Sequence, residues 1–376
     1  MLGKRISLFK LLGFEVGIDW SWIIIAILIL WSLSTGFFPM YYKNLSTEMY
    51  WMMGLVGAAG LFLSIIFHEF CHSMMARRYG MPMKGITLFI FGGVAQMEDE
   101  PPSPKAEFMV AIVGPLSSLA IGLIFYGIYI FGKNAGLPEP VNGVVGYLAF
   151  INGILAGFNI IPAFPLDGGR VLRSILWGLK KNLKWATRVS SWIGTGFGIL
   201  LIVLGIVNVL RGNFVGGMWW LLIGMFLHGA AKSAYQQLIM RKALEGEPLT
   251  KLMKTDPVTV PASVSLKEFV EDYVYRHHYK MFPVMDNSNK LAGCITTKQL
   301  KEVPKENWDQ KKVADLAMQC SPENSVDSKE DAMRALSKMK SYSASRLMVT
   351  EGDHLLGIIS LKDMLEHLSL KAELEE

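Results

Sequence analysis

Six runs without a single Asp, Glu, Lys or Arg, each 19 to 26 residues long, constrain this 376-residue chain more than any other feature. They cover residues 20–42, 49–67, 108–132, 141–166, 189–210 and 212–231. An apolar helix crosses the ~30 Å hydrocarbon core with about 20 residues, so the runs predict six membrane-spanning helices. The second continues in helical pattern through Arg77, and the fourth carries an internal break. The first run is longer than the ~7 to 15 apolar residues of a secretory leader and lacks a small-residue cleavage site, so it reads as a retained span.

Charge divides the chain in two. The first 246 residues hold 19 Lys and Arg against 11 Asp and Glu, and the last 130 hold 18 against 21. The apolar part is therefore +8 and the rest −3, so the excess behind the net +5 sits beside the apolar runs, where it reports topology and not nucleic-acid binding. Loops after the first, third and fifth runs contain one cation each, Lys43, Lys133 and Arg211. The opposite side collects Arg77, Arg78, Lys84, Lys105, Arg170, Arg173, Lys180, Lys181, Lys184, Arg188, Arg241 and Lys242. This bias predicts a multi-pass protein of the cell membrane with both termini in the cytoplasm. Three scattered cysteines, Cys71, Cys294 and Cys320, make neither a disulfide scaffold nor a cysteine metal cluster.

Between the second and third spans, residues 84–97 (KGITLFIFGGVAQM) are rich in β-branched and aromatic side chains, with Gly92 and Gly93 as a bend or hairpin. Such a strand cannot face lipid with unpaired backbone groups, so it should line a protein-walled cavity. Residues 97–104 form a polar, proline-containing surface loop. The last 130 residues contain a repeat of period 64: residues 282–285 correspond to 346–349 and 293–299 to 357–363. Each copy predicts a helix, an apolar strand, a turn, a second strand and a closing helix, and such copies pair to bury a common face.

Ionisable groups inside spans are costly and mark function by default. The second span holds H-E-F-C-H, His68 to His72. Four residues apart on a helix, His68 and His72 share a face and can reach one metal ion, with Glu69 beside them as a general base. Two imidazoles and a carboxylate among Leu61 to Phe67 would carry a large desolvation cost without a metal to satisfy them. His68 precedes Arg77 by nine residues, on the order of 14 Å below the cytoplasmic surface at ~1.5 Å per residue. A catalytic zinc takes three protein ligands. Asp167 is the expected third: Pro162 and Pro165 break the fourth span just before it, and Gly168 and Gly169 permit close backbone approach. An aspartate there also suits a helix N-cap, and both roles can coexist. His228, alone in its span, reads as an interhelical hydrogen-bonding residue. Gly194, Gly196 and Gly198 lie inside a span and read as a helix-packing surface.

HEFCH on one membrane helix and NIIPAFPLDGGR on a later one together resemble the site-2 protease family of intramembrane zinc metalloproteases, over about residues 10 to 240. FGGVAQM and the Gly114-Pro115-Leu116-Ser117 stretch are also similar to that family's pattern. The resemblance implies one zinc ion per chain held by His68, His72 and Asp167, Glu69 as general base, and Asn159 positioning substrate or the oxyanion. It also implies regulated intramembrane proteolysis of membrane-anchored substrate proteins. The C-terminal repeat resembles a tandem pair of CBS domains, carried by the ending Gly357-Ile358-Ile359-Ser360-Leu361-Lys362-Asp363. In that family the hydroxyl and carboxylate, here Ser360 and Asp363, can hold a ribose, which implies an adenine nucleotide. The first copy keeps Thr296 but has Gln299 in place of the acid. A module that only dimerises the chain or docks it is the other reading.

The expected architecture is an α-helical polytopic membrane protein with six transmembrane helices, a short membrane-associated β hairpin or sheet, and a cytoplasmic α/β CBS pair. Its boundaries fall at 1–245, 246–308 and 309–376. The expected partners are the lipid bilayer, the membrane-anchored substrate, an adenine nucleotide and a second copy through the CBS domains, with no nucleic acid. The competing class, a CBS-regulated divalent-cation transporter using the same metal-binding residues, gives no reason for a glutamate between the histidines.

Overall fold

The computed structural model describes residues 6–81, 83–89, 92–97, 100–286, 288 and 290–375. It divides into two compact units, Met1–Gln236 and Gln237–Glu376.

Among the described residues, six helices are long and apolar enough to cross a membrane. These are α1 (Trp20–Tyr41), α2 (Thr47–Arg78), α3 (Pro104–Asn134), α4 (Glu139–Asn159), α6 (Leu183–Leu210) and α7 (Phe214–Leu244), the last running into the second unit's residues. The short α5 (Asp167–Lys180) lies between α4 and α6. Local chemistry sets the ends. Asp19 accepts from the Ser21 amide before α1, Ser46 from Met49 before α2, Ser103 from Ala106 before α3 and Asn182 from Trp185 before α6. Arg77 and Arg78 occupy the last turn of α2, where cations suit the helix dipole. Leu55, Leu63, Leu123 and Leu200 are exposed while Ser64, His68, His72, Ser118 and Asn152 are buried. Lipid rather than water suits that outer surface.

The expected hairpin or sheet is, among the described residues, a four-stranded sheet. Four strands lie in the order β1 (Ile6–Leu11), β2 (Phe14–Ile18), β3 (Met83–Phe89) and β4 (Gly92–Met97). β1 and β2 form an antiparallel hairpin closed by Leu12-Gly13, both with positive φ (47° and 88°), the twist that two-residue hairpin turns require. β2 pairs parallel with β3, Glu15 opposite Gly85 and Ile18 opposite Leu88. Phe14, Val16, Ile18, Ile86 and Leu88 are buried. The Phe89–Gly92 pair closes the second hairpin, so Gly92 and Gly93 lie within β4 and do not form the bend. Positions 90 and 91, 98 and 99 of the sequence reading lie outside the described residues. β3 is paired on both sides, and β4 is the edge strand on that side.

The second unit carries the repeat as two three-stranded sheets. In the first, β5 (Val260–Pro261) runs parallel to β6 (Met281–Met285), which pairs antiparallel with β7 (Leu291–Thr296). In the second, β8 (Ser325–Asp327), β9 (Arg346–Glu351) and β10 (His354–Ser360) repeat the pattern. The leading segments are exchanged. Leu249 and Leu252, ahead of the first copy, are buried with Val326, Leu347 and Ile359 of the second. Val313, ahead of the second, is buried with Val260, Phe282 and Ile295 of the first. Bridges Lys254–Ile358 and Cys294–Met318 fix both crossovers. Burial pushes the Cys294 thiol up to about 11, the behaviour of a structural and unreactive sulfur.

Candidate metal centre

His68 and His72 lie one turn apart on α2, both buried, on the face turned inward. Asp167 is the first residue of α5, with Leu166 as its N-cap, so its carboxylate is not used as the cap. The broken stretch 160–166 folds back on α5 at Gly168 and Gly169, where a Cβ would overlap the Ile160 carbonyl and the Phe164 amide. The three side chains converge. Asp167 Oδ2 stands 3.0 Å from His68 Nε2 and 3.1 Å from His72 Nε2, and the two Nε2 atoms are 3.0 Å apart.

The other ring nitrogens are held by α3. His72 Nδ1 donates to the Val110 carbonyl at 2.6 Å, and His68 Nδ1 bonds the Ser118 hydroxyl at 2.9 Å. Between them on α3, Gly114 faces both rings, and a Cβ there would overlap His72 Nε2 and stand 2.6 Å from His68 Nε2. Gly93 of β4 faces Glu69, where a Cβ would lie 2.5 Å from Glu69 Cγ. Glu69 and His68 line a cavity of about 390 Å³ with Asn159, Leu88, Phe89 and Gly93, walled by apolar side chains including Trp22, Phe62 and Trp219. The Asn159 amide donates to the Leu155 carbonyl at 3.0 Å at the end of α4.

His228 stands outside the donor cluster, and its Nδ1 is buried with no hydrogen-bond partner among the described residues. Gly194 packs on the Phe164 backbone and Gly198 on Gly224 and His228, whereas a Cβ on Gly196 would meet nothing within 4 Å. Two of the three glycines therefore make the expected close contacts. Sequence reasoning missed Ser118, Val110 and a buried ion pair between Glu107 of α3 and Arg173 of α5. Arg173, counted there as a topological cation, is 6% exposed. A carboxylate one residue ahead of an uncharged run was the available signal.

In the second unit, Ser360 and Asp363 line a cavity of about 340 Å³ with Lys254, Asp256, Tyr279 and Arg346. The Ser360 hydroxyl donates to Asp363 Oδ2 at 2.5 Å, and Lys254 Nζ lies 3.6 Å from Asp363 Oδ1. Thr296 does not line this cavity. Its hydroxyl donates to Gln299 Oε1 at 3.0 Å, and the Gln299 amide is bonded in turn to the Leu316 carbonyl.

A candidate metal site carried on helices long and apolar enough to cross a membrane is the class that this fold and cluster define. The sequence pattern of Peptidase family M50 matches residues 56–144 and 138–204, and that of the CBS domain matches 249–306 and 313–370. A Synechocystis relative named as a zinc metalloprotease is 32% identical over 373 residues, covering 99% of this chain and 97% of its own. The Rip3 protein of Mycobacterium tuberculosis is 31% identical over 360 residues, covering 96% and 91%. Among solved structures, a site-2 protease from Methanocaldococcus jannaschii is similar at 28% identity and a TM-score of 0.44, covering 62% of this chain and 95% of that one. The chain belongs to peptidase family M50, the site-2 proteases, and is a multi-pass membrane metalloprotease with a tandem CBS pair.

Proposed function

We propose that His68, His72 and Asp167 hold one zinc ion, and that the protein hydrolyses peptide bonds of membrane-anchored substrate proteins within or near the membrane. One observation carries this reading. The His72 Nδ1–H is spent on a carbonyl, so its Nε2 bears a lone pair in the neutral ring. With His68 in the same tautomer, two lone pairs and a carboxylate oxygen face one another at 3.0–3.1 Å with no donor between them. A cation satisfies all three, and these separations approach the ~3.3 Å edge of a tetrahedron built on ~2.0 to 2.1 Å zinc bonds. Carbonyl and hydroxyl partners on Nδ1 are the usual means of orienting a metal-binding imidazole.

When bound, the ion supplies Lewis acidity that polarises a carbonyl and acidifies water. Glu69, next to His68 and at the cavity wall, takes a proton from the attacking water and returns it to the departing amine. Asn159, on the same wall, orients the substrate amide or the developing oxyanion. A transmembrane helix hides its peptide bonds, so a substrate must unwind before it is cut. Because β3 is paired on both sides, an unwound segment would pair along β4, whose Gly93 faces Glu69. Proline placed singly at Val94, Ala95 and Gln96 should lower kcat/KM wherever an outward N–H is lost, and unchanged cleavage at all three positions would refute pairing on this edge. The loop charges support cytoplasmic termini.

The CBS cavity, with Ser360 and Asp363 beside Lys254 and Arg346, supports binding of an adenine nucleotide that modulates the protease. Loss of the acid at Gln299 supports a single site. One assay tests both halves. Protein purified in detergent should carry about one zinc per chain, cut a transmembrane reporter, stop on chelation and resume on zinc addition. ATP, ADP or AMP should change that rate in the wild type, and Asp363→Ala should weaken the nucleotide about 10- to 100-fold, the worth of a hydrogen bond to a charged group. Zinc-free protein that still cuts refutes the first half; a rate unmoved by all three nucleotides refutes the second.

A further inference from the structure

One face of α3 serves the whole donor cluster. Glu107, Val110, Gly114 and Ser118 fall at i, i+3, i+7 and i+11, a single stripe of the helix. Three of these positions meet the histidines. The fourth reaches the helix that carries the remaining donor. Glu107, 0% exposed, accepts from Arg173 of α5 through both Nε and a terminal guanidinium nitrogen. Arg173 follows Asp167 by six residues in the same helix. Its guanidinium also lies 5.2 Å from the centre of the Phe164 ring, in the broken stretch before Asp167, and 3.6 Å from Glu100 Oε2.

α5 has only 14 residues and follows a segment containing two prolines. Where its backbone docks therefore decides where the Asp167 carboxylate lies. Burying a carboxylate and a guanidinium is costly, and an apolar pair of similar volume often stabilises a fold equally well. What the ion pair adds is geometry, because two nitrogens of one rigid guanidinium converge on a single carboxylate oxygen, Glu107 Oε1, while Oε2 is buried with no hydrogen-bond partner among the described residues.

We propose that Glu107 and Arg173 form a positioning clamp that seats α5 on α3 so that the Asp167 carboxylate meets the two histidine nitrogens. The clamp rests on the reading of His68, His72 and Asp167 as metal ligands. It makes α3, which supplies no ligand of its own, the common template for all three.

The test compares wild type, Asp167→Ala, Arg173→Met, Glu107→Gln and the double variant Glu107→Met/Arg173→Met. Zinc affinity is measured by competition with a chromophoric chelator in detergent, together with thermal unfolding. Arg173→Met and Glu107→Gln should bind zinc 10- to 100-fold more weakly, the usual effect of losing a group that orients a ligand. The double variant, with no unpaired buried charge, should regain thermal stability and still bind zinc weakly. Zinc held at wild-type affinity by the clamp variants but lost from Asp167→Ala overturns the clamp and leaves the ligands in place. A double variant that regains affinity together with stability assigns the pair to folding alone and also overturns it. A wild type without zinc overturns both readings.

Discussion

Gly114→Ala protein should be recovered folded and without zinc. The added methyl overlaps His72 Nε2 and stands 2.6 Å from His68 Nε2, filling the space on which the donors converge. Neither ring can retreat without giving up its Nδ1 bond to Val110 or Ser118, and both bonds are made to the same helix that carries the new methyl. On helix propensity alone the change favours folding, since alanine is roughly 1 kcal/mol better than glycine in a helix interior. Gly127→Ala is the matched control, because it lies on the same helix with nothing within 4 Å of its Cβ. Zinc per chain should fall from about one to below about a tenth in the first variant and stay unchanged in the second, with cleavage following the metal. Full zinc content in Gly114→Ala would mean that the ion lies elsewhere.

Glu69→Gln should do the reverse, keeping the zinc and losing turnover. The amide has nearly the size of the carboxylate but cannot take a proton, and general-base contributions run to about 10² to 10⁴ in rate. Reporter cleavage should fall by that factor with metal content and helix signal unchanged. Gly93→Ala should reproduce part of the loss from the opposite wall, since its methyl would stand 2.5 Å from Glu69 Cγ and push the carboxylate off line. A cation carrier built on the same residues would keep metal-dependent flux in Glu69→Gln, so retained flux with unaltered reporter cleavage would remove the proteolytic reading.

The parts legible in the sequence were those that depend on a short window. Lack of charge over about 20 residues is a local property, and all six runs lie on long helices, although the fourth helix ends at Asn159, ahead of the break in its run, and the sixth continues past its run to Leu244. The histidine spacing is equally local. Asp167, 95 positions after His72, was legible as a candidate because two prolines mark the place where its helix must begin anew. What escaped depends on which faces meet. β1 and β2 alternate only briefly beside a basic terminus, and nothing in Phe14 to Ile18 announces that its partner is the distant β3. Arg173 counts as one cation among many until α3 brings Glu107 against it. Ser118 and Gly114 are ordinary small residues of a span until the rings of α2 meet them. The repeat of 64 residues was readable, but the exchange of its leading segments was not, because Leu249, Leu252 and Val313 are bland apolar positions.

That exchange bears on how the CBS region could be dissected or could evolve. Lys254 and Asp256, contributed by the segment that leads into the first copy, share a chamber with Ser360 and Asp363 from the far end of the second. A guest in that chamber therefore touches chain on either side of the midpoint, and clipping the polypeptide between the two repeats would strip a hydrophobic plug from each half. The pair behaves as one lock with two interlaced tumblers, so its halves must be kept, lost or transplanted together.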